Sequence, residues 1–270
     1  MDTYYNNAYG NKAISQNRTG ERKLSNKCKS IVIRSVIQPM ITSDTWVNDF
    51  SCGKMQDFNK WQAALTPNWH PSDNRIKLIG SDISPKGIEE GNRRIREAGL
   101  PSWFKAFECD LIGSKLDPEH HLTKMLEFEK DRHNVLSMQL AAHYAFQSQQ
   151  TFDNLIHNMM ISNPSIVFLT IPDPDRILDP DLNLENASVS NIELSSTPFG
   201  NRYTYQQSGT CINEPIVEYI TDEDLLTATL KQKGFKLIFD KNHSDLVSVP
   251  QTSPVLFYKS LVYVKDPNFM

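Results

Sequence analysis

The sequence predicts an α/β protein built on a seven-stranded, mostly parallel sheet with helices on both faces. Short apolar runs alternate with amphipathic segments of helical length from residue 41 to Pro172, and this alternation is typical of βαβ units. Near the C-terminus, two further apolar runs are joined by a polar loop too short for a crossover helix. The last strand is therefore expected to lie antiparallel to its neighbour, while the other strands are parallel.

The composition is that of a globular protein, because 39% of the 270 residues are hydrophobic and 22% are charged. No apolar run approaches the roughly 20 residues of a membrane-spanning helix, so no membrane partner is expected. The polar N-terminus lacks the apolar core of a secretory signal, and we expect the protein to stay inside a cell. The four cysteines show no CxxC pair and no zinc-type spacing, which predicts reduced thiols and no metal site.

The first forty residues are expected to form an arm and one helix, and residues 41–270 the main domain. In SNKCKSIVIRSVIQPM, Ile33, Val36 and Ile37 recur at helical spacing, and Pro39 ends the pattern. Five strands are then predicted at the apolar runs TWVNDF, IKLIGSDI, FKAFECDL, HNVLSMQL and SIVFLTIP. Helices are predicted near residues 54–65, 85–98 and 148–162.

The segment from residue 173 to about 220 interrupts this pattern. It is rich in Asp, Asn, Ser and Pro, and only FGNRYTYQQ and EPIVEYI resemble strands, which indicates an insertion after strand five. The helix TDEDLLTATLKQKG follows, with Thr221 as its expected N-cap and Gly234 at its end. The strands KLIFDK and LFYKSLVYVKD complete the predicted sheet.

Acidic side chains fall at the ends of the first three predicted strands, at Asp49, Asp82 and Asp110. In an open α/β sheet, ligands bind beyond the carboxyl ends of the strands, where the strand order reverses. A carboxylate after strand two can accept two hydrogen bonds from a ribose diol, so Asp82 predicts a nucleoside, and Asp110 is placed to meet an adenine amino group. One such Asp alone is more often a surface turn residue, but three at successive strand ends favour a ligand site.

The turn DFSCGKMQDFNKW after strand one favours a cationic ligand over a phosphate. A dinucleotide pyrophosphate requires the spacing G-x-G-x-x-G, and Asp49 and Asp57 would repel it. S-adenosylmethionine carries an ammonium, a sulfonium, a ribose and an adenine. It is therefore the predicted cofactor.

Five motifs, in order, resemble the eukaryotic and viral mRNA cap guanine-N7 methyltransferases. The turn DFSCGKMQDFNKW resembles the family's D-x-G-C-G-K-G-G-D-x-x-K-W, and SMQLAAHYAFQS resembles its S-C-Q-F-A-x-H-Y-x-F-E-S. The segments NKCKSIVI, LTIPDPDRIL and PIVEYI are similar to the family's N-N-x-x-K-S-x-L-I, G-T-I-P-N-x-x-x-I and P-E-Y-L. This resemblance implies a class I methyltransferase (Rossmann-like) fold, S-adenosylmethionine as cofactor and cap-dependent methylation.

The resemblance also assigns site residues. Those implied to bind S-adenosylmethionine are Lys29, Asp49, Gly53, Asp57, Asp82, Asp110 and Gln139. Within this set, Lys29 is expected near the cofactor carboxylate, Asp82 at the ribose and Asp110 at the adenine. Those implied to hold the cap guanine are His143, Tyr144, Pro172, Glu218 and Tyr258. Glu218 is expected to accept hydrogen bonds from N1–H and the exocyclic amine, and Tyr258 to form a wall of the pocket.

Each guanine-site residue also has a structural interpretation. His143 and Tyr144 are residue types that often lie in a core, Glu218 resembles an edge-strand charge, and Pro172 can simply end a strand. Tyr258 can be ordinary strand packing. The motif match favours the functional interpretation for the set.

The implied reaction needs no general base, because guanine N7 carries a lone pair and no proton. Catalysis then depends on in-line alignment of N7, the methyl carbon and the sulfur. The insertion is expected to present the capped mRNA 5′ end (GpppN), with Arg34, Lys54 and Arg93 as candidates for contacting its triphosphate. A capping-apparatus or stimulatory protein is a further partner, and the location is nuclear, or cytoplasmic if the gene belongs to a cytoplasmic virus or plasmid.

Two alternatives remain open because Ser51, Met55 and Gln56 replace family glycines in the turn. Such replacements can narrow a cofactor pocket, so the chain can also be interpreted as a degenerate, non-catalytic methyltransferase-fold subunit that binds or stimulates an enzyme. Methylation of another small nucleophile is the second alternative, and it predicts activity without capped RNA. Asn48 adds an amide in the middle of strand one, where an apolar residue is expected.

Overall fold

The computed structural model describes residues 20–68, 77–99, 104–208 and 214–269. The expected N-terminal helix is present as α1, Gly20–Val32, and continues through a π-helical turn, Ile33–Ile37, into a short 3₁₀ turn, Gln38–Met40. The helix begins earlier than its hydrophobic spacing predicts and ends at the turn that contains Pro39. The predicted arm before residue 20 lies outside the described residues.

Within the described ranges, ten strands form two sheets. They are β1 Trp46–Phe50, β2 Leu78–Asp82, β3 Phe104–Glu108, β4 Asn134–Gln139, β5 Ile166–Pro172, β6 Ala187–Glu193, β7 Arg202–Gln207, β8 Ile216–Tyr219, β9 Phe235–Asn242 and β10 Tyr258–Lys265. The main sheet has seven strands in the order β3-β2-β1-β4-β5-β10-β9. The strand order reverses between β1 and β4, which are parallel neighbours.

The predicted strand directions are confirmed. Strand β10 is antiparallel to both β5 and β9, whereas β1 to β5 pair in parallel. Tyr258 lies opposite Pro172 in this antiparallel pair. The carboxyl ends of the parallel strands and the start of β10 consequently meet at one edge of the sheet.

Helices cover both faces of the main sheet. After α1 they are α2 Phe58–Leu65, α3 Pro85–Glu97, α4 His121–Glu129, α5 Gln149–Ile161, α6 Pro174–Ile177, α7 Glu223–Gln232 and α8 His243–Leu246. One core contains Val32, Trp61 and Ile88 from α1, α2 and α3. The other contains Leu122, Leu155 and Leu226 from α4, α5 and α7.

One local expectation is corrected, and helix α4 was not predicted from the sequence. Helix α7 is capped by Asp222, whose Oδ1 accepts a hydrogen bond of 2.8 Å from the Leu225 N–H, and not by Thr221. Asp222 has the extended backbone that an N-cap requires, and Thr221 is one residue too early to reach the third helical N–H.

The segment between β5 and α7 forms a separate antiparallel sheet in the order β6-β7-β8. Tyr203, Tyr205 and Ile220 pack with Phe257 in a small core of their own. Strand β6 was not predicted. No helix in the described part of the chain combines the length and the apolar character that crossing a membrane requires.

Candidate active site

A cavity of about 740 Å³ opens at the carboxyl edge of the main sheet, beside β8 of the small sheet. Its walls include every residue that the family resemblance assigned: Lys29, Asp49, Gly53, Asp57, Asp82, Asp110, Gln139, His143, Tyr144, Pro172, Glu218 and Tyr258. The structure therefore brings together residues from six strands (β1, β2, β4, β5, β8 and β10) and from α1.

The three basic residues expected near a triphosphate do not line this cavity. Arg93 lies on the solvent face of α3, where it pairs with Glu90 and Glu97 of the same helix. Arg34 is exposed, and Lys54 lies in the turn on the side of Arg94, which donates to the Lys54 carbonyl oxygen. Arg34, Lys54 and Arg93 therefore do not form part of the cavity wall, and their contact with a triphosphate stays a prediction.

The turn between β1 and α2 has the left-handed backbone conformation that glycine favours, although only one of the three residues in that conformation is a glycine. Ser51, Gly53 and Met55 have φ values of 57°, 54° and 53°. This left-handed conformation favours glycine, so the non-glycine residues at two of the positions are strained. Gly53 N–H donates to Asp82 Oδ2 over 2.8 Å, which ties the turn to the end of β2.

Met55 does not fill the cavity. Its side chain is fully buried beneath the turn, against two glycines. A Cβ at Gly80 would lie 2.3 Å from Met55 Sδ, and one at Gly91 would lie 2.9 Å from Met55 Cγ. The space for the thioether is therefore created by the missing side chains of Gly80 and Gly91.

An ion-paired group of side chains forms the wall between α1 and α2. Asp57 accepts from Lys29 Nζ over 2.5 Å and also pairs with Lys60. Although burial opposes ionisation, these two ammonium groups lower the pKa of Asp57 to about 2. Asp57 is thus a permanent anion whose charge is largely neutralised.

Asp49 is more deeply buried than Asp57, and its negative charge is less well neutralised by nearby cations. Burial and the neighbouring Asp57 charge raise the pKa of Asp49 to about 7, against the hydrogen bond from Ser137 and the attraction of Lys29 and Lys60. The side chain is 3% exposed and faces the cavity. A buried carboxyl in this condition gains most from a cationic ligand, because a nearby positive charge stabilises its ionised form.

The other two strand-end carboxylates are fixed by backbone donors. Asp82 accepts from the N–H groups of Gly53 and Ser84 at 2.8 and 2.9 Å. Burial raises the pKa of Asp82, although these two hydrogen bonds act to lower it. Asp110 Oδ1 accepts from the Ile112 and Gly113 N–H groups at 3.0 and 2.7 Å. Both carboxylates are held rigidly while facing the cavity.

The end of β4 leads directly into the part of the cavity that lies beside β8. Gln139 is oriented by a 2.6 Å hydrogen bond from the Thr170 hydroxyl to its Oε1. Leu140 follows with φ of 59°, and this sharp bend starts the 3₁₀ helix Ala142–Gln147, which carries His143 and Tyr144. The His143 and Tyr144 rings lie 4.2 Å apart between centroids.

Glu218 of β8 supplies the negative charge in this part of the cavity. It is 5% exposed, and it accepts from Tyr203 over 2.6 Å at Oε2 and from Tyr144 over 3.3 Å at Oε1. Burial raises its pKa, but His143, 3.7 Å away, and the two hydroxyls outweigh this and lower it. Among the described residues, the ring nitrogens of His143 have no hydrogen-bond partner.

Tyr203 was missed by sequence analysis. It lies directly opposite Glu218 in the β7–β8 pair and is 1% exposed. The alternation of Tyr203 and Tyr205 in RYTYQQ indicates one buried face of a strand, but it does not reveal the partner strand. In the described ranges, no group of three or more His, Cys, Asp and Glu side chains is arranged to hold a metal ion.

Comparison with known sequences points to one family. A family model described as an mRNA (guanine-N(7))-methyltransferase domain matches residues 5–255. Similar relatives include the mRNA cap guanine-N(7) methyltransferase of Cryptococcus neoformans, 24% identical over 87% of this chain and 33% of its own length. That of Schizosaccharomyces pombe is 22% identical over 86% of this chain and 64% of its own length. The chain thus spans from a third to about two-thirds of these relatives.

Solved structures confirm the predicted class I methyltransferase fold. The CcbJ methyltransferase from Streptomyces caelestis has a TM-score of 0.54 at 10% identity, covering 96% of this chain and 98% of that one. Magnesium protoporphyrin IX methyltransferase from Synechocystis, solved with bound SAM, has a TM-score of 0.50 at 12% identity and covers 98% of this chain and 90% of that one. At these identities the likeness concerns the fold alone.

Proposed function

The chain belongs to the mRNA (guanine-N(7))-methyltransferase family, and from that premise we propose that it transfers a methyl group from S-adenosylmethionine to N7 of the guanine cap of mRNA. The observation that carries the proposal is the single cavity, which joins strand-end carboxylates on one side to Glu218, His143 and Tyr144 on the other. A volume of about 740 Å³ lies within the usual range for ligand sites.

The residues on the strand-end side fit S-adenosylmethionine. Asp82 and Asp110 offer fixed acceptors for a ribose diol and an exocyclic amine, since each keeps lone pairs beyond those used by the backbone. Asp49 offers a buried carboxyl that a cation would stabilise. Lys29 lies at the same wall with its ammonium beside Asp57, where a ligand carboxylate would find a positive charge. When bound, the cofactor supplies the electrophilic methyl group.

The residues on the other side fit a guanine. The lowered pKa keeps Glu218 ionised, so it can accept hydrogen bonds from N1–H and the exocyclic amine. His143 Nε2 lies 3.7 Å from Glu218 Oε1, and Nδ1, which has no hydrogen-bond partner among the described residues, is available for a further polar contact with the base. Pro172 and Tyr258, opposite each other in β5 and β10, provide flat apolar surface for a purine ring.

This arrangement supports catalysis by alignment. Guanine N7 has no proton to lose, so no side chain has to act as a base. Rigid positioning of two reactants can supply roughly 7 to 11 kcal/mol through effective molarity. The fixed carboxylates and the Tyr203–Glu218 pair are the groups that would provide this rigidity.

The non-catalytic alternative rested on Ser51, Met55 and Gln56 narrowing the cofactor site. Met55 packs beneath the turn against Gly80 and Gly91 and does not narrow it, whereas Ser51 and Gln56 do line the cavity. Methylation of another nucleophile is less favoured because Glu218 is buried together with three polar aromatic partners. A capped 5′ end as substrate, a stimulatory protein and nuclear location stay predictions.

Substitution of Glu218 tests the proposal. Glu218→Gln should leave the Kd for S-adenosylmethionine unchanged and lower kcat/KM for N7 methylation of a capped RNA about 100-fold or more, because hydrogen bonds to a charged acceptor contribute about 1.5–3 kcal/mol each. Calorimetric titrations with S-adenosylmethionine and a cap analogue, followed by a methylation assay, would measure both effects.

Glu214→Gln is the matched control, since it makes the same charge change at an exposed site before β8. It should behave as the wild type. Wild-type activity in Glu218→Gln would contradict the guanine site. Binding of neither ligand to the wild-type protein would favour the non-catalytic subunit, and methylation without capped RNA would favour another nucleophile.

A further inference from the structure

A row of buried polar side chains crosses the main sheet on one face, next to the cavity. Its members, from the cavity outward, are Asp49, Ser137, Gln139, Thr170, Ser260 and His243. The strand register places them side by side, because Asp49 is paired with Ser137, Gln139 with Thr170, and Thr170 with Ser260. Asp49 and Gln139 line the cavity, whereas Thr170, Ser260 and His243 do not.

Thr170 fixes the direction of the hydrogen bond on the outer side of Gln139. The Thr170 hydroxyl donates its single proton to Gln139 Oε1 over 2.6 Å, so towards Ser260, 3.5 Å away, it can only accept. Ser260 also lies 3.1 Å from His243 Nε2, and either the Ser260 hydroxyl or the imidazole N–H can be the donor of that bond. Burial lowers the pKa of His243 to about 4, so its ring is neutral at pH 7.

The inner side of the row is determined as well. The Gln139 amide nitrogen donates to Ser137 Oγ and to the Phe168 carbonyl oxygen, both at 3.3 Å. Ser137 therefore keeps its own proton for Asp49, with which it is hydrogen-bonded. From Thr170 to Asp49 every bond runs towards the cavity, and the Gln139 amide oxygen lies on the side of Thr170 because the amide nitrogen faces the Phe168 carbonyl oxygen, which can only accept.

We propose that Thr170, supported by Ser260, is a positioning residue that holds the Gln139 amide and, through Ser137, the Asp49 carboxylate as hydrogen-bond acceptors for the ammonium group of S-adenosylmethionine. This inference rests on the proposed function. Rotation of the Gln139 amide by half a turn would present N–H groups to a cation. It would also remove the hydrogen bond from the Thr170 hydroxyl and turn Oε1 towards the Phe168 carbonyl oxygen, so both contacts disfavour that rotamer. Residues outside the cavity thus determine that Gln139 presents a hydrogen-bond acceptor, and not a donor, to the cofactor.

Thr170→Val tests this inference because valine has the shape of threonine without the hydroxyl. Its Kd for S-adenosylmethionine should be about tenfold weaker, the effect of one lost buried hydrogen bond, with Kd for a cap analogue unchanged. In the methylation assay, KM for the cofactor should rise while kcat at saturating cofactor stays near the wild-type value. Thr170→Ser retains the hydroxyl and should restore the wild-type Kd.

Thr123→Val is the matched control. Thr123 is 2% exposed in α4 and donates to the Asp117 carbonyl oxygen over 2.7 Å, away from the cavity. It should lower the Tm without changing the Kd for S-adenosylmethionine. If Thr170→Val does not fold, Ser260→Ala serves instead, with an expected weakening of about threefold because its contact with Thr170 is longer.

The outcomes separate the two proposals. If the wild-type protein binds S-adenosylmethionine and the soluble Thr170 or Ser260 variant binds it equally well with only a lowered Tm, the positioning role is overturned and the proposed function is untouched. If the wild-type protein binds no S-adenosylmethionine, the proposed function fails and this inference fails with it.

Discussion

At the scale of single residues, Asn48 places an amide in the middle of β1 without satisfying it. The side chain is fully buried, and neither its nitrogen nor its oxygen has a hydrogen-bond partner among the residues that the structure describes. Its neighbours in the sheet are Ile79 and Leu136, which offer no polar atom from their side chains. An unpaired buried polar group costs about 1–3 kcal/mol.

We therefore expect Asn48→Leu to raise the free energy of unfolding by about 1–2 kcal/mol, since leucine has the same branching and removes both unpaired atoms. Urea denaturation would measure the change. Asn158→Leu is the control, because the equally buried Asn158 accepts from Leu116 N–H and donates to the Leu111 and Ser114 carbonyl oxygens. That variant should lose about 3 kcal/mol. A similar loss in both variants would show that Asn48 is satisfied.

The turn after β1 shows what residue-level reasoning from sequence can and cannot provide. Because glycines occupy the positions of Ser51 and Met55 in the family motif, the resemblance predicts a left-handed backbone there, and both residues have positive φ values. The direction of the Met55 side chain could not be predicted, because it depends on Gly80 and Gly91 from β2 and α3. Those glycines leave the space only once the strand and helix have packed.

At the scale of elements, the β7–β8 pair aligns the side of the cavity that we propose for the guanine. Tyr203→Phe removes one hydroxyl, which donates to Glu218 over 2.6 Å. We expect cap-analogue binding to weaken about tenfold, because Glu218 loses its shortest restraint, and S-adenosylmethionine binding to stay unchanged. Calorimetric titration of both ligands would measure this.

Tyr263→Phe is the control for that variant, since Tyr263 is also fully buried and shares a 3.0 Å hydrogen bond with Thr227 at a distance from the cavity. It should change stability but neither affinity. Unchanged or tighter cap-analogue binding in Tyr203→Phe would show that Tyr203 does not hold Glu218 in its binding orientation.

The elements that sequence reasoning predicted are those with a buried face. Strand β5 is buried at every position, and its apolar run was visible in the sequence. Strand β6 is mostly exposed and is held by pairing with β7, so its side chains carry no periodic signal. Helix α4 is short and presents Phe128, 84% exposed, which obscures the helical spacing of Leu122 and Leu126.

At the scale of the whole molecule, the candidate site could be assembled from sequence because parallel strands end at one edge. Asp49, Asp82 and Asp110 are far apart in the chain, yet the strand order brings them to one cavity. The sequence could not predict the polar row, because the register of β10 against β5 brings Ser260 beside Thr170. Register between distant strands is set by packing of the complete core.

The same row contains two buried groups that couple folding to protons in opposite ways. Burial raises the pKa of Asp49 from 3.8 to about 7, so its stabilising contribution is fully present below pH 3.8 and is lost as the pH rises through 7. Burial lowers the pKa of His243 from 6.5 to about 4, so its contribution is fully present above pH 6.5 and is lost as the pH falls through 4. The shifts correspond to about 4 kcal/mol for Asp49 and about 3 kcal/mol for His243 over their windows.

Between pH 4 and 6.5 the two contributions oppose each other, and single substitutions should separate them. In Asp49→Asn, the free energy of unfolding should rise with pH more steeply than in the wild type, because the stabilising contribution of Asp49, which falls as the pH rises, is absent. In His243→Gln, which keeps a donor towards Ser260, it should fall with pH relative to the wild type. Urea unfolding at several pH values would measure the slopes. Curves parallel to the wild type in both variants would contradict the linkage, because a group with equal pKa in the folded and unfolded states adds no slope.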